Sequence, residues 1–177
     1  MAFQNFEFKA CVNDLAAKEA ILQQFDPIFI GEDDQTDTYF NVSSGRLKLR
    51  EGNIENALIH YERADIADAK LSSILLYQHQ PNAIIKEILI KTLGIKVVVQ
   101  KRRKIYFIDN VKFHFDKVDR LGTFIEVEAI DKEGNIGMQQ LKAQCSYYQE
   151  RLGIKQENFL AQSYSDMLLE KSEIKFR

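Results

Sequence analysis

Bases and acids recur in this chain at intervals of two. Lys48 and Arg50, Lys101 and Arg103, Glu126 and Glu128 form such pairs; Asn5, Glu7 and Lys9, and Lys112, His114 and Asp116, form triplets. On an extended strand, residues two apart share a face, so each set presents its groups together. Closely spaced lysines and arginines bind phosphate oxygens through charge-assisted hydrogen bonds, and paired carboxylates hold hard divalent cations. Both kinds of set in one domain suit a polyanion bridged by metal.

The elements that position these groups are mostly strands. Period-two alternation predicts strands over 3–12, 34–41, 45–51, 55–64, 71–79, 95–108, 110–118 and 121–131. β-branched and aromatic residues at every second position mark GRLKLRE, NALIHYERA, KVVVQKRRKIYFI and NVKFHFDKV. Asp109-Asn110 and Glu51-Gly52-Asn53 suit short turns, which join antiparallel neighbours. Helical spacing appears in LAAKEAILQQF behind Asn13 or Asp14 as cap, and in NAIIKEILIKTLG, with Pro81 suited to its first turn and Gly94 to its exit. It recurs in MQQLKAQCSYYQERLG and in SYSDMLLEK, where Ser163 or Ser165 is the expected cap. The fold class is therefore mainly β (α+β), with eight antiparallel strands, enough to close a barrel, and peripheral helices.

Phe6 and Phe8 oppose Asn5, Glu7 and Lys9; Leu47 and Leu49 oppose Arg46, Lys48 and Arg50; Ile125 and Val127 oppose Glu126 and Glu128. For any one strand, a sheet with a single solvated face explains this. That account strains over all the strands together, because the charged faces carry little of the Thr, Ser, Asn and Gln that usually accompany them. The alternative turns the apolar faces outward beneath the helices. The interior then holds the bases Lys9, Lys48, Arg50, Arg63, Lys101, Arg103 and Lys112 and the acids Glu7, Asp116, Glu126 and Glu128. Desolvating each ion costs several kcal/mol, and a polyanion with divalent cations compensates both signs.

The 177 residues fit one domain, 1–177, and a net charge of −2 argues against a generic nucleic-acid partner. QKRRK is no exception, since a strand sends Lys101 and Arg103 to one face and Arg102 and Lys104 to the other. No signal-like apolar stretch opens the chain and no run has transmembrane length, so a cytoplasmic protein without membrane contact is expected. Cys11 and Cys145 read as two reduced thiols. His60 and His79 lack partners at zinc-ligand spacing, there is no glycine-rich phosphate loop, and His114 reads as a hydrogen-bonded structural histidine.

Asn5-Phe6-Glu7-Phe8-Lys9 resembles the Glu-x-Glu-x-Lys signature of the CYTH superfamily, the triphosphate tunnel metalloenzymes. The resemblance continues, in the family's order, through QTDTYF (Gln35 to Phe40), GRLKLR (Gly45 to Arg50), HYER (His60 to Arg63) and KRRKIYFIDNVKFHFDKVDRLGTFIEVE (Lys101 to Glu128). LKAQC (Leu141 to Cys145) and SYSDMLL (Ser163 to Leu169) extend it. Within that family the chain is most similar to bacterial class IV adenylyl cyclases.

The resemblance implies an eight-stranded antiparallel closed tunnel barrel. It implies Mg2+ or Mn2+ at Glu7, Glu126 and Glu128, the residues expected to carry catalysis, with Asp116 as a helper. It places Lys9, Lys48, Arg50, Arg63, Lys101, Arg103 and Lys112 on the triphosphate. One departure is Asn5, where the signature has an acid. An amide oxygen ligates a hard cation but adds no negative charge, which implies a metal held more weakly or through water.

The expected activity is conversion of ATP to cyclic AMP and pyrophosphate. The alternatives are a tripolyphosphatase or thiamine triphosphatase on the same barrel, or a non-catalytic polyphosphate or nucleotide sensor. The partner in each is a nucleoside or inorganic triphosphate, and the expected assembly is a monomer or homodimer. A carrier of apolar ligands would need an apolar interior, which these faces do not provide.

Overall fold

The computed structural model describes residues 2–63 and 70–174. Its strands are β1 (Ala2–Cys11), β2 (Ile28–Phe40), β3 (Arg46–Glu51), β4 (Ala57–Arg63), β5 (Lys70–Gln78), β6 (Ile95–Ile108), β7 (Val111–Val118) and β8 (Gly122–Asp131). They close into a barrel in the order β1-β5-β4-β3-β2-β6-β7-β8, antiparallel at every seam. Closure is what the alternation requires, because it leaves no edge strand and gives each chain segment one inner and one outer face.

The strands fall where the alternation predicts them, except that β2 begins at Ile28 rather than at residue 34. Gly31-Glu32-Asp33-Asp34 reads as a turn in isolation. In the barrel Arg102 of β6 pairs with Glu32 at 3.3 Å and with Asp34 at 2.9 Å, so cross-strand charge pairs hold this acidic run extended. A bulge between Phe29 and Gly31 absorbs the irregularity. The β6–β7 hairpin turns at Asp109-Asn110 as expected, with Asp109 in the left-handed region at φ 50°.

Four helices, α1 (Leu15–Leu22), α2 (Ala83–Leu93), α3 (Met138–Arg151) and α4 (Tyr164–Ile174), complete the chain. Asp14 caps α1 by accepting from the Ala17 amide at 2.9 Å. Residues Gln23–Phe25 continue α1 as a 3-10 turn instead of a further α-turn. Asn82 caps α2, so Pro81 stands just outside the helix and not in its first turn. Ser163 opens α4 with a reciprocal cap: its Oγ accepts from the Asp166 amide at 3.2 Å and its own amide donates to Asp166 at 3.2 Å. No helix among the described residues is long and apolar enough to cross a membrane.

Two apolar cores flank the barrel wall. Outside, Phe6, Phe8, Phe113, Phe115, Ile125 and Val127 pack under α1 and α3 through Leu22, Leu141 and Cys145, as the outward apolar faces require. Inside, Tyr39, Ile59, Tyr61, Val99, Val118 and Phe124 gather around Tyr164 and Leu168 of α4. The interior is therefore not charged throughout. Helix α4 plugs one end on an apolar floor, and the charged residues form a belt between that floor and the opposite mouth. Cys11 and Cys145 are both free thiols; burial pushes Cys145 up to about 12.

Candidate functional site

The belt lines a cavity of about 1360 Å³. Period-two alternation aims Asn5, Glu7 and Lys9 of β1, Lys48 and Arg50 of β3, Lys101 and Arg103 of β6, Lys112 and His114 of β7, and Glu126 and Glu128 of β8 into it. Arg102, on the other face of β6, is 59% exposed and pairs with Asp34, while Lys104 pairs with Glu19. Strand geometry thus divides QKRRK as expected. The side chain of Arg63 lies outside the described residues.

Two acids that the sequence reading did not assign organise the bases. Asp37 on β2, opposite Arg50 in register, accepts from Arg50 Nε at 2.8 Å, from Lys48 Nζ at 3.1 Å and from Lys101 Nζ at 2.6 Å. Glu55, in the β3–β4 loop, pairs with Arg50 Nη1 at 2.9 Å and with Lys112. Asp33 fixes that loop by accepting from the Ile54 and Glu55 amides at 2.9 and 3.0 Å. A side chain at Gly52 would meet Asp33 at 2.6 Å, which is why the turn needs glycine there.

Arg103 grips Asp116 with Nε at 2.6 Å and Nη2 at 2.5 Å, and reaches Glu126 at 3.0 Å. Tyr164 donates to the same Asp116 at 2.7 Å, and Lys9 lies 4.0 Å over its ring. Asp116 is thereby committed to Arg103 and Tyr164 and stands apart from the acids of β8. Tyr164 belongs to the SYSDMLL match, but nothing local in that run signals that its hydroxyl reaches the belt. Glu126 also holds Lys9 at 3.2 Å.

Burial opposes every one of these charges, and neighbours decide the outcome. For Asp37, burial alone would raise the pKa, but Arg50, Lys101 and Lys48 hold it well below the usual carboxylate range. Glu55 is held low against its burial by Lys112 and Arg50, and Glu126 by Lys9, His114 and Arg103. Lys101 goes the other way. Its amine is fully enclosed and shares Asp37 with two other cations, so burial, with Arg50, Arg103 and Lys48, pushes it down to about 7.

Among the described residues, the ligand atoms that converge as a metal site would need are those of His114, Glu126 and Glu128, all within 4.8 Å of one another. Glu7 stands opposite Glu128 in register, and Asn5 Nδ2 bridges them, donating to Glu7 at 3.1 Å and to Glu128 at 3.4 Å. Asn5 Oδ1 is buried without a partner. Oxygen-rich donors with an orphaned amide oxygen fit a divalent cation. His114, expected as a hydrogen-bonded structural histidine, places Nδ1 3.3 Å from Glu126 and 3.3 Å from Glu128.

A closed antiparallel tunnel, plugged at one end and lined by facing bases and acids, defines the class. The chain belongs to the CYTH domain family, which matches residues 4–164. No protein of curated function matches it. Among solved structures, the PH1012 protein of Pyrococcus horikoshii OT3 is similar at 24% identity and TM-score 0.77, covering 92% of this chain and 98% of that one. A proposed adenylate cyclase from Vibrio parahaemolyticus is similar at 15% identity and TM-score 0.69, covering 93% and 97%. A proposed adenylyl cyclase from Hippeastrum with a dominant triphosphatase activity aligns at 12% identity and TM-score 0.58, over 97% of this chain and 96% of that one.

Proposed function

We propose that this chain is a metal-assisted enzyme that holds an organic triphosphate in its tunnel, acting as a class IV-type adenylyl cyclase on ATP. The observation that carries the reading is the shape of the cavity. A belt of bases faces carboxylates at mid-height, and the open mouth beyond them is walled by Phe3, Ile85, Phe107 and Ile130. The belt suits phosphates, and the apolar mouth leaves room for a flat organic group that inorganic tripolyphosphate lacks.

Lys9, Lys48, Arg50, Lys101, Arg103 and Lys112 would hold the phosphate oxygens, and Arg63 is proposed with them. Glu7, Glu126 and Glu128 would hold Mg2+ or Mn2+, which when bound neutralises phosphate charge and lowers the pKa of the attacking oxygen. The ribose 3′-hydroxyl then attacks the α-phosphorus in line, its proton passing to solvent water, and pyrophosphate leaves along the belt. The acids neutralise the bases within the belt, so a triphosphate must displace Asp37 and Glu55 from Lys48, Arg50, Lys101 and Lys112. Catalysis here is mainly positioning and charge neutralisation.

Hydrolysis of the same triphosphate is the competing reading, favoured by the triphosphatase activity of the Hippeastrum neighbour. Product analysis with ATP, tripolyphosphate and thiamine triphosphate under Mg2+ and Mn2+ decides. Cyclic AMP plus pyrophosphate is expected; orthophosphate would replace cyclase with hydrolase, and binding without turnover would make the protein a sensor.

Anion binding is expected to take up a proton above neutrality. In the free protein Lys101 loses its proton near pH 7, whereas a phosphate beside it favours the charged amine and raises its pKa. Between the free and bound values the complex carries the extra proton, so affinity falls as pH rises, by up to about tenfold per unit. Calorimetry with ATP in the absence of metal, in two buffers of different ionisation enthalpy at about pH 8, above the titration of its terminal phosphate monoester near 6, reads the uptake. It is expected to vanish in Lys101→Arg, which stays charged throughout. Equal heats in both buffers for the native protein would show that Lys101 is already protonated.

A further inference from the structure

One member of the acid cluster is not used by the carboxylate reading of the metal site. His114 is 1% exposed, and its Nδ1 lies 3.3 Å from Glu126 Oε2 and 3.3 Å from Glu128 Oε1. A single N–H cannot donate well to two acceptors, and both contacts lie beyond the usual N–H···O range. Its other nitrogen, Nε2, is buried without a partner. Nε2 carries a proton both in an imidazolium and in a neutral ring that offers Nδ1 as a lone-pair donor, so the choice between them rests on Nδ1 and its two carboxylates.

The equal spacing has another explanation. Donors about 2.1 Å from one cation, and roughly 90–110° apart around it, lie about 3.0–3.4 Å from each other. The separations of Nδ1 from both carboxylate oxygens match such polyhedral edges. Asn5, 0% exposed, lines the same cavity with an unpartnered Oδ1 and touches Glu128 through Nδ2. Where the family signature has an acid, this chain has a neutral amide, and a nitrogen donor stands two strands away on β7, with β8 between them.

We propose that His114 Nδ1 is a ligand of the tunnel's divalent cation, together with Glu126 and Glu128, and that it shifts the site's preference from Mg2+ toward Mn2+ and Co2+. The proposal rests on the reading of the tunnel as a cation-assisted site. Its chemical basis is donor type: imidazole suits borderline transition metals, whereas Mg2+ takes oxygen almost exclusively. The other groups facing the imidazole are consistent with it. Lys9 and Arg103 sit on Glu126, which leaves Glu128 the less encumbered carboxylate.

The test uses the full chain with Mn2+ alone, Mg2+ alone, and each with tripolyphosphate. Bound Mn2+ is expected to show nitrogen-14 coupling in pulsed electron paramagnetic resonance. Its affinity by calorimetry is expected to exceed that of Mg2+ by about tenfold or more. In His114→Gln the coupling is expected to disappear and Mn2+ affinity to fall about tenfold, with Mg2+ affinity changed by less than about threefold, so that the preference collapses. Mn2+ bound to the native protein without nitrogen coupling overturns the proposal, whatever the variant does, and so does coupling that persists in His114→Gln. Absence of any Mn2+ binding, with or without tripolyphosphate, overturns both this proposal and the metal-assisted function on which it rests. Binding without nitrogen coupling removes only the histidine.

Discussion

Glu128→Gln is expected to lower turnover of the triphosphate by about 100-fold or more, whichever product is formed, which corresponds to about 3 kcal/mol of lost transition-state stabilisation. The substitution keeps the side chain's shape and removes one charge. Glu128 is the cleanest acid for this test because its partners are His114 and Asn5. Glu126 also anchors Lys9 and Arg103, so Glu126→Gln would loosen the belt and blur the result. Tripolyphosphate binding without metal is expected to survive in Glu128→Gln, and to strengthen, since a repulsive carboxylate has been neutralised. The variant's melting temperature and metal-free calorimetry separate these effects. A Glu128→Gln enzyme with native kcat would remove Glu128 from the metal-binding role proposed for it.

The site's bases and β8 acids were legible because a strand's periodicity is local. Lys101 and Arg103, or Glu126 and Glu128, declare a shared face within three residues, and closure of the barrel turns that face inward. Asp37 was not legible for the opposite reason. It stands alone among polar residues in QTDTYF, and its meaning depends on Lys101, 64 positions away, and on Arg50 across a strand seam. Glu55 opens the strand expected over 55–64, but β4 begins only at Ala57, so Glu55 sits in the loop before it, and the amides held by Asp33 turn it toward Lys112.

The floor of the tunnel shows a second limit. Val99, Lys101 and Arg103 follow one another on the same face of β6, yet Val99 belongs to the apolar floor and the other two to the charged belt. Alternation reports the face but not the depth along the barrel axis. That depth is set by strand stagger and by α4, whose sequence SYSDMLLEK reads as an ordinary surface helix until Tyr164 and Leu168 are seen to close the barrel. The acidic start of β2 is similar: its extended form is supported by Arg102 on the neighbouring strand, which pairs with Glu32 and Asp34.

The belt's dependence on Asp37 carries the other large expectation. Asp37 is 1% exposed and is the shared counter-ion of Lys48, Arg50 and Lys101. Its pKa is held well below the usual range against its own burial, so the stability it contributes is present above the ordinary carboxylate pKa and is lost as pH falls through the depressed value. Asp37→Asn keeps the volume and leaves three cations facing a neutral amide. Removing one partner of a buried ion pair typically costs about 3–5 kcal/mol. Release of the Lys101 proton offsets part of this, so the lower end is expected, a fall in melting temperature of roughly 10 °C for a chain of this size. The bases around position 37 then lack the carboxylate that a triphosphate would otherwise have to displace. Millimolar tripolyphosphate is therefore expected to raise the melting temperature of Asp37→Asn by more than it raises that of the native protein, because ligand binding to the folded state adds stability by mass action and no longer has a carboxylate to displace. If the variant melts within about 2 °C of the native protein, Asp37 is not the counter-ion that holds the belt together. If it is destabilised but gains no more from tripolyphosphate than the native protein does, the bases around Asp37 are a structural network, and the phosphates bind elsewhere in the tunnel.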